Sequence, residues 1–307
     1  MRRYLIKTIV FLFPVLVCVV ICEAMLRRVD NDYKYKNNWL SKNASSVQVL
    51  SLGSSHGYFG IDPTQFELNA FNAAHVSQDI KYDNFIFNKF VNEMDSLKFI
   101  ILPISYFTPC SNLEKGIEDW RVKYYMMYYH CPYHPLNLKF HLEIADGIHP
   151  LRVLRAIQGK DDNRYCTDLG QGTQYKLASR SDNWKESGKV AAERHTEKGI
   201  NWEQYQQNMP KLKEILETCK SKGIKVILLT TPTYYTYREN LLDEKLNLAF
   251  DCCREMQKKY DNTVWLNLLD DDRFVDDDFY DADHLNEYGA KKLSAILNDY
   301  ILCDIEQ

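Results

Sequence analysis

The stretch Val47-Gln48-Val49-Leu50-Ser51-Leu52-Gly53-Ser54-Ser55-His56-Gly57-Tyr58-Phe59 decides the fold. Val47, Val49, Leu50 and Leu52 form a short apolar run, the pattern of a strand buried in a parallel sheet, and Gly53 bounds it. In an open parallel sheet, ligands sit outside the carboxyl ends of the strands. A serine in the first turn after the first strand is therefore placed to act as a nucleophile. Gly53 permits a sharp turn, and a following helix would aim its free N–H groups at it. Taken alone, a Gly-Ser-Ser turn has a plainer reading as a helix cap.

Beyond this stretch the chain alternates between strand and helix. A short helix is expected to begin at Pro63 and run to Leu68. Residues 70–74 read as a second strand ending in the polar turn Ser77-Gln78-Asp79. Helical spacing at Phe85, Phe87, Phe90, Val91 and Met94 covers residues 82–94, and residues 99–104 form a third apolar run. Residues 109–201 lose the alternation and read as an insertion over one edge of the sheet. Within it, the aromatic residues 123–130 could pack a core helix or line a groove, residues 151–157 look helical, and residues 159–197 are polar without a strong period. Residues 202–222 then form an amphipathic helix closed by Gly223, and residues 224–230 are the clearest buried strand. A helix at 240–260, a strand at 264–268 and a final helix from Glu287 follow. The expectation is a three-layer α/β/α sandwich over residues 47–307, with a mostly parallel five-stranded sheet.

Upstream, Arg2, Arg3 and Lys7 precede an unbroken apolar run over residues 9–22, and Arg27 and Arg28 follow it. Residues 5–26 are long enough for one transmembrane helix, although Lys7 and Glu23 trim its apolar centre. Cys22-Glu23-Ala24-Met25 is a poor cleavage site, so residues 1–29 read as an uncleaved signal-anchor and residues 30–46 as a polar tether. With the first positive cluster kept inside, the domain would face the periplasm or exterior from a single pass through the cytoplasmic membrane.

A net charge of −4, with no dense Lys/Arg block after residue 30, argues against a nucleic-acid partner. The 21 tyrosines suit a surface for sugars or lipid headgroups as well as an ordinary core. Nine cysteines show no zinc spacing, and a Cys110–Cys131 disulfide stays open. Neither a metal nor a cofactor is expected. The acidic run 270–278 reads as a solvated loop, with calcium as the weaker alternative.

The last loop reads Phe279-Tyr280-Asp281-Ala282-Asp283-His284-Leu285-Asn286. An aspartate three residues before a histidine can fix its tautomer and stabilise its imidazolium, as a nucleophile's base requires. This loop and the first one share the carboxyl edge of the sheet. Ser55, His284 and Asp281 are therefore a candidate catalytic triad. Asp283, adjacent to His284 in sequence, is expected to point away.

At Gly53-Ser54-Ser55-His56 and Asp281-x-x-His284 the chain resembles the SGNH (GDSL-like) hydrolase family. It is most similar to membrane-anchored members that work with envelope acyl-transfer systems, such as alginate acetylation and lipoteichoic acid D-alanylation proteins. The resemblance covers about residues 47–107 and 203–300 and leaves the insertion unmatched. It implies Ser55 as nucleophile, with an oxyanion hole from the backbone N–H groups of Ser55 and of Ser77, which stands at the family's glycine position. A substrate pocket touched by His56, beside Ser55, and by Gln78 and Tyr106 is also expected. The family's asparagine is missing from Leu102-Pro103-Ile104-Ser105. Asp146-Gly147-Ile148-His149-Pro150 matches the terminal block better in letters but precedes two strands, so the C-terminal pair is preferred.

The expected function is a serine-dependent esterase or O-acyltransferase acting on acyl esters of an envelope glycan, with a membrane-bound O-acyltransferase as a candidate partner. The alternatives are a non-catalytic glycan-binding or assembly partner on the same fold, and a membrane-tethered structural domain.

Overall fold

Short apolar runs become strands where both of their faces can be covered, and five do so here. They are β1 (Val49–Ser51), β2 (Ala70–Asn72), β3 (Phe99–Pro103), β4 (Lys225–Thr230) and β5 (Thr263–Asn267). The computed structural model describes residues 1–146, 150–159, 163–196 and 199–306. The strands form one sheet in the order β2-β1-β3-β4-β5, with every neighbouring pair parallel. Leu50 lies between Phe71 and Ile100, and Ile100 pairs with Val226. The chain passes from β1 to one side and later returns to the other. The switch point therefore lies between β1 and β3, with Gly53 to Ser55 at its mouth.

The helices are α1 (Arg2–Leu26), α2 (Asp32–Asn43), α3 (Ser55–Gly60), α4 (Ile80–Phe90), α5 (Val122–Tyr128) and α6 (Pro150–Ile157). They continue with α7 (Ser187–Thr196), α8 (Trp202–Ser221), α9 (Tyr235–Arg238), α10 (Asp243–Lys259) and α11 (Glu287–Ile305). Caps set several starts: Asp79 accepts from Tyr82 N, Asn201 from Gln204 N, and Asn286 from Tyr288 N and Gly289 N. Helices cover both faces of the sheet. On one face Val49, Phe99, Ile101, Ile227 and Leu229 share a core with Leu293, Leu297 and Ile301 of α11. The two-residue period sends Leu50, Ile100, Val226 and Leu228 to the opposite face, where they are equally buried. There α8 packs on β4 and on α4.

Two sequence expectations change. The first helix after β1 starts at Ser55 itself, and Pro63 opens only a 3-10 turn, Pro63–Gln65. Residues expected to be a tether form α2, whose Tyr33, Asn37 and Leu40 recur at helical spacing and are buried. Tertiary burial, more than propensity, stabilises this helix.

The chain divides into two compact units, residues 1–38 with 118–164 and residues 39–117 with 165–307. The second holds the sheet. In the first, α1 is long and apolar enough to cross a membrane, and Phe11, Phe13, Leu16 and Val20 are exposed along it. Its last turn is built into the unit. Glu23 accepts from the N–H groups of Glu143 and Ile144, both at 3.1 Å, and pairs with Arg27, while Leu26 is buried. The aromatic run around α5 is core: Tyr125 and Tyr129 are buried, and Tyr128 O–H donates to Glu143 at 2.6 Å.

Candidate active site

The site begins where β1 ends, in the second unit. Gly53 adopts φ +104°, a left-handed conformation that side chains resist, and a Cβ there would lie 3.0 Å from Pro103 Cδ. Its N–H donates to Asp83 Oδ1 at 2.7 Å. The chain then enters α3 with Ser55 as its first residue. Gly57 lets this helix approach the strand closely, since a Cβ there would meet Leu52 O at 2.7 Å. The buried amide of Asn72, at the end of β2, donates to Gly57 O and Ile61 O at 2.8 and 2.9 Å and accepts from Ala74 N at 3.0 Å. One side chain thus fixes α3 to β2 and holds the half-buried Ser55 at the sheet edge.

The loop after β5 supplies the base. Asp281 Oδ1 accepts from the backbone N–H groups of Asp283 and His284, which folds the carboxylate back under the ring. His284 Nδ1 lies 3.0 and 3.2 Å from the two Asp281 oxygens. A carboxylate only accepts, so Nδ1 carries the proton and Nε2 is free to receive one. Ser55 O–H donates to that Nε2 at 2.8 Å. Ser55, His284 and Asp281 therefore stand in line. Burial alone would push the His284 imidazole down, but the Asp281 and Asp283 carboxylates outweigh it and leave the basicity raised. His149, without which the alternative pair cannot be placed, lies outside the described residues.

The other expected site residues take different places. Ser77 sits in the turn after β2 with φ +59°, the backbone region that glycine favours at such a position. This turn is tied to the nucleophile loop by His75 N–H donating to Gly53 O at 3.2 Å. Gln78 is buried and donates to Asp83 at 2.6 Å, bracing the turn from below rather than facing substrate. Burial pushes the Asp83 carboxyl up to about 7, against the pull of its Gln78 and Gly53 donors. Tyr106 is also buried; its hydroxyl accepts from Leu242 N and bonds Thr196.

His56 borders the recess beside Ser55 but is fully engaged behind it. Its Nε2–H donates to Asp283 Oδ1 at 3.1 Å, and its Nδ1 faces the hydroxyls of Ser105 at 2.5 Å and Thr231 at 3.2 Å. Ser105 follows β3 by two residues. Asp283 is not turned away, because its Oδ2 lies 3.9 Å from His284 Nδ1. The tight Asp281 turn draws consecutive side chains to the same ring. His56, Asp283 and His284 cluster closely enough to suggest a metal. Both ring nitrogens of His56 and both of His284 already have partners within the protein, so an ion would have to displace Ser55 or Asp281.

From the insertion comes Tyr175, which sequence reasoning missed because its surroundings are polar and aperiodic. Its ring stacks between Phe59 at 3.7 Å and Tyr280 at 4.1 Å and meets His284 edge-on at 5.2 Å. His195, from α7, bonds the Tyr237 hydroxyl at 2.8 Å and packs on Phe107. Burial pushes its imidazole down to about 4, although Asp283 opposes the shift. In the acidic run, Asp270, Asp271, Asp276, Asp277 and Asp278 pair with Arg238, Arg273, Lys185, Arg180 and Lys292, as a salt-bridged loop does. The nine cysteines are free thiols.

In structure the chain is similar to a GDSL-like lipase from Bacteroides thetaiotaomicron, at 11% identity over 89% of this chain and 100% of that one, with a TM-score of 0.42. It is also similar to a protein from Bacteroides fragilis named provisionally as an acylhydrolase, at 10% identity over 87% of this chain and 95% of that one, again with a TM-score of 0.42. Likeness at this level assigns neither family nor activity. No protein-family model and no curated protein matches the chain.

Proposed function

We propose that this chain is a serine-dependent esterase or O-acyltransferase acting on acyl esters of a cell-envelope glycan. The observation that carries the reading is the line Ser55 Oγ, His284, Asp281, with hydrogen bonds of 2.8 and 3.0 Å. Ser55 Oγ attacks the acyl carbon while its proton passes to His284 Nε2, and Asp281 holds the resulting imidazolium. The imidazolium returns that proton to the departing alkoxide, leaving an acyl-serine. Water or a sugar hydroxyl then gives its proton to Nε2 and takes the acyl group, and the imidazolium returns that proton to the departing Ser55 Oγ. The N–H groups of Ser55 and Ser77 are the proposed oxyanion donors, each worth about 3 kcal/mol.

Two features support a short acyl group on a hydroxylated partner. The recess beside Ser55 is narrow, walled by Phe59, Thr231, Pro232 and Leu285. Beside Asp281 lies an open cleft of about 300 Å³, where Ser179, Ser181, Asn183 and Tyr280 offer hydroxyls and an amide beside the apolar faces of Trp184 and Val190, a mixed lining that suits a sugar. The built-in end of α1 favours a retained anchor, and Arg2, Arg3 and Lys7 ahead of it favour a domain outside the cytoplasmic membrane. A membrane-bound O-acyltransferase remains the proposed partner. One observation favours the non-catalytic reading: Ser105, in the segment without the family's asparagine, is turned to His56. Release of acetate from an O-acetylated polysaccharide, assayed with wild type and Ser55→Ala, tests the choice. The enzyme reading expects release by wild type only; equal release, or none from any acyl ester, overturns it.

A further inference from the structure

The buried Asp283 carboxylate has no role in the line from Ser55 to Asp281, yet it is the most enclosed charge near it, with its side chain 1% exposed. Among the described residues its ion-pair partners are imidazoles alone, from His56, His195 and His284. Burial would push its carboxyl up, but these three rings outweigh that and hold it below the ordinary carboxylate range. His56 donates to Oδ1 and is itself locked by Ser105 and Thr231, whereas among the described residues no hydrogen bond of ordinary geometry reaches Oδ2; the Tyr237 hydroxyl, from α9, is the other polar group that acts on this carboxylate.

An orphaned acceptor on a buried anion costs free energy, so its surroundings decide what it is for. Two rings face Oδ2: His195 Nδ1 at 3.8 Å and His284 Nδ1 at 3.9 Å. His195 is bonded to Tyr237 and, with its basicity pushed down by burial, stays neutral. His284 is the ring that gains a proton when Ser55 is activated. Asp281, its direct partner, also serves the backbone N–H groups of Asp283 and His284, so its hold on Nδ1–H is shared.

We propose that Asp283 is a second carboxylate for His284, a positioning residue that stabilises the imidazolium alongside Asp281 and takes the Nδ1–H when Asp281 is lost. Closing about 1 Å brings Nδ1–H to hydrogen-bond distance of Oδ2. The proposal rests on the reading of His284 as the base for Ser55. No new bond is made beyond that proton transfer; the proton moves from Ser55 Oγ to Nε2 and back to the leaving group as before.

The groups facing His284 are Asp281 and Asp283 from its own loop, His56 and Ser55 from α3, Tyr175 from the insertion, Tyr280, and His195 with Arg194 from α7. Among them only the two aspartates raise its basicity strongly. The test is an NMR titration of the His284 ring in the detergent-solubilised full chain, assigned with His284→Gln. In Asp283→Asn the midpoint should fall by about one unit, as loss of a charge within about 4 Å requires, and the acid limb of kcat/KM should move with it. An unchanged midpoint in a folded Asp283→Asn chain overturns the proposal. Should that variant fail to fold, Asp281→Asn decides: a midpoint still at or above about 6.5 supports Asp283, and one well below overturns it.

The kinetic arm compares single and double variants. Asp281→Asn should lose about 100-fold in kcat/KM, less than the about 10⁴-fold typical when a triad's orienting carboxylate has no substitute. Adding Asp283→Asn should lose more than the product of the single effects, and simple multiplication of the two contradicts the backup role. The titration needs no turnover. An inactive wild-type chain whose midpoint falls in Asp283→Asn refutes the proposed function and keeps the pairing, whereas an active chain with an unmoved midpoint refutes the pairing alone.

Discussion

Asp83, on α4, accepts the N–H of Gly53 at 2.7 Å, so a buried carboxylate with no ion-pair cation among the described residues holds the turn that presents Ser55. Its carboxyl titrates at about 7 in the folded chain against an ordinary 3.8, with burial as the main cause. Between those values the native state keeps a proton that the unfolded chain releases. The stability associated with the neutral form is fully present below about pH 4 and lost as pH rises through about 7. Relative to wild type, Asp83→Asn should therefore gain on the order of 4 kcal/mol between pH 4 and pH 8 in urea unfolding. Parallel stability profiles for the two proteins would contradict the assignment.

Asn72 donates to the carbonyls of Gly57 and Ile61 and accepts from Ala74 N. Asn72→Ala leaves these three groups unpaired in a dry place, which should cost about 3 kcal/mol in chemical denaturation. Activity should fall as well, because Ser55 rides on the helix that Asn72 fixes. A loss below about 0.5 kcal/mol would show that the network is dispensable.

How far this architecture could be read in advance varies from residue to residue. The sheet was legible because buried parallel strands are continuous apolar runs; residues 99–104 and 224–230 contain β3 and β4 within one residue at each end. Ser55, His284 and Asp281 could be paired because topology alone places both loops at one edge. What stayed hidden depended on contacts across the chain. Asn72 was visible only as a polar residue ending an apolar strand, and Asp83 as one charge in an aromatic helix. Tyr175 carried no periodic signal, since a loop residue stacked between two rings needs none. Glu23 looked like a defect in an apolar span, while its function is to bond the backbone of Glu143 and Ile144. His56 was expected to meet substrate because it follows Ser55, yet one residue along α3 turns the side chain by about 100° and into the interior.

Tyr175 fills the space over His284 with its ring, so the ring rather than the hydroxyl should matter. Tyr175→Phe should retain near wild-type kcat/KM on a short-chain aryl ester. Tyr175→Ala should fall about tenfold as water reaches the His284–Asp281 pair and screens it. Equal loss in both variants would place the effect on the hydroxyl instead.

The exposed apolar length of α1 ends in a turn that belongs to the folded first unit. Full-length protein should remain with membranes after alkaline carbonate extraction. A chain lacking residues 2–21, which keeps Glu23 and Leu26, should move to the soluble fraction with its cooperative melt preserved. Release of the full-length protein by carbonate would contradict a spanning anchor.

The central claim is that His284 activates Ser55, and its most direct test is covalent labelling of the full-length chain with a fluorophosphonate, read by intact mass and peptide mapping. Stoichiometric modification at Ser55, abolished in Ser55→Ala and reduced at least about 100-fold in rate in His284→Ala, is the expected result. A chain that takes no label at Ser55, or labels at an unchanged rate without His284, would contradict the account.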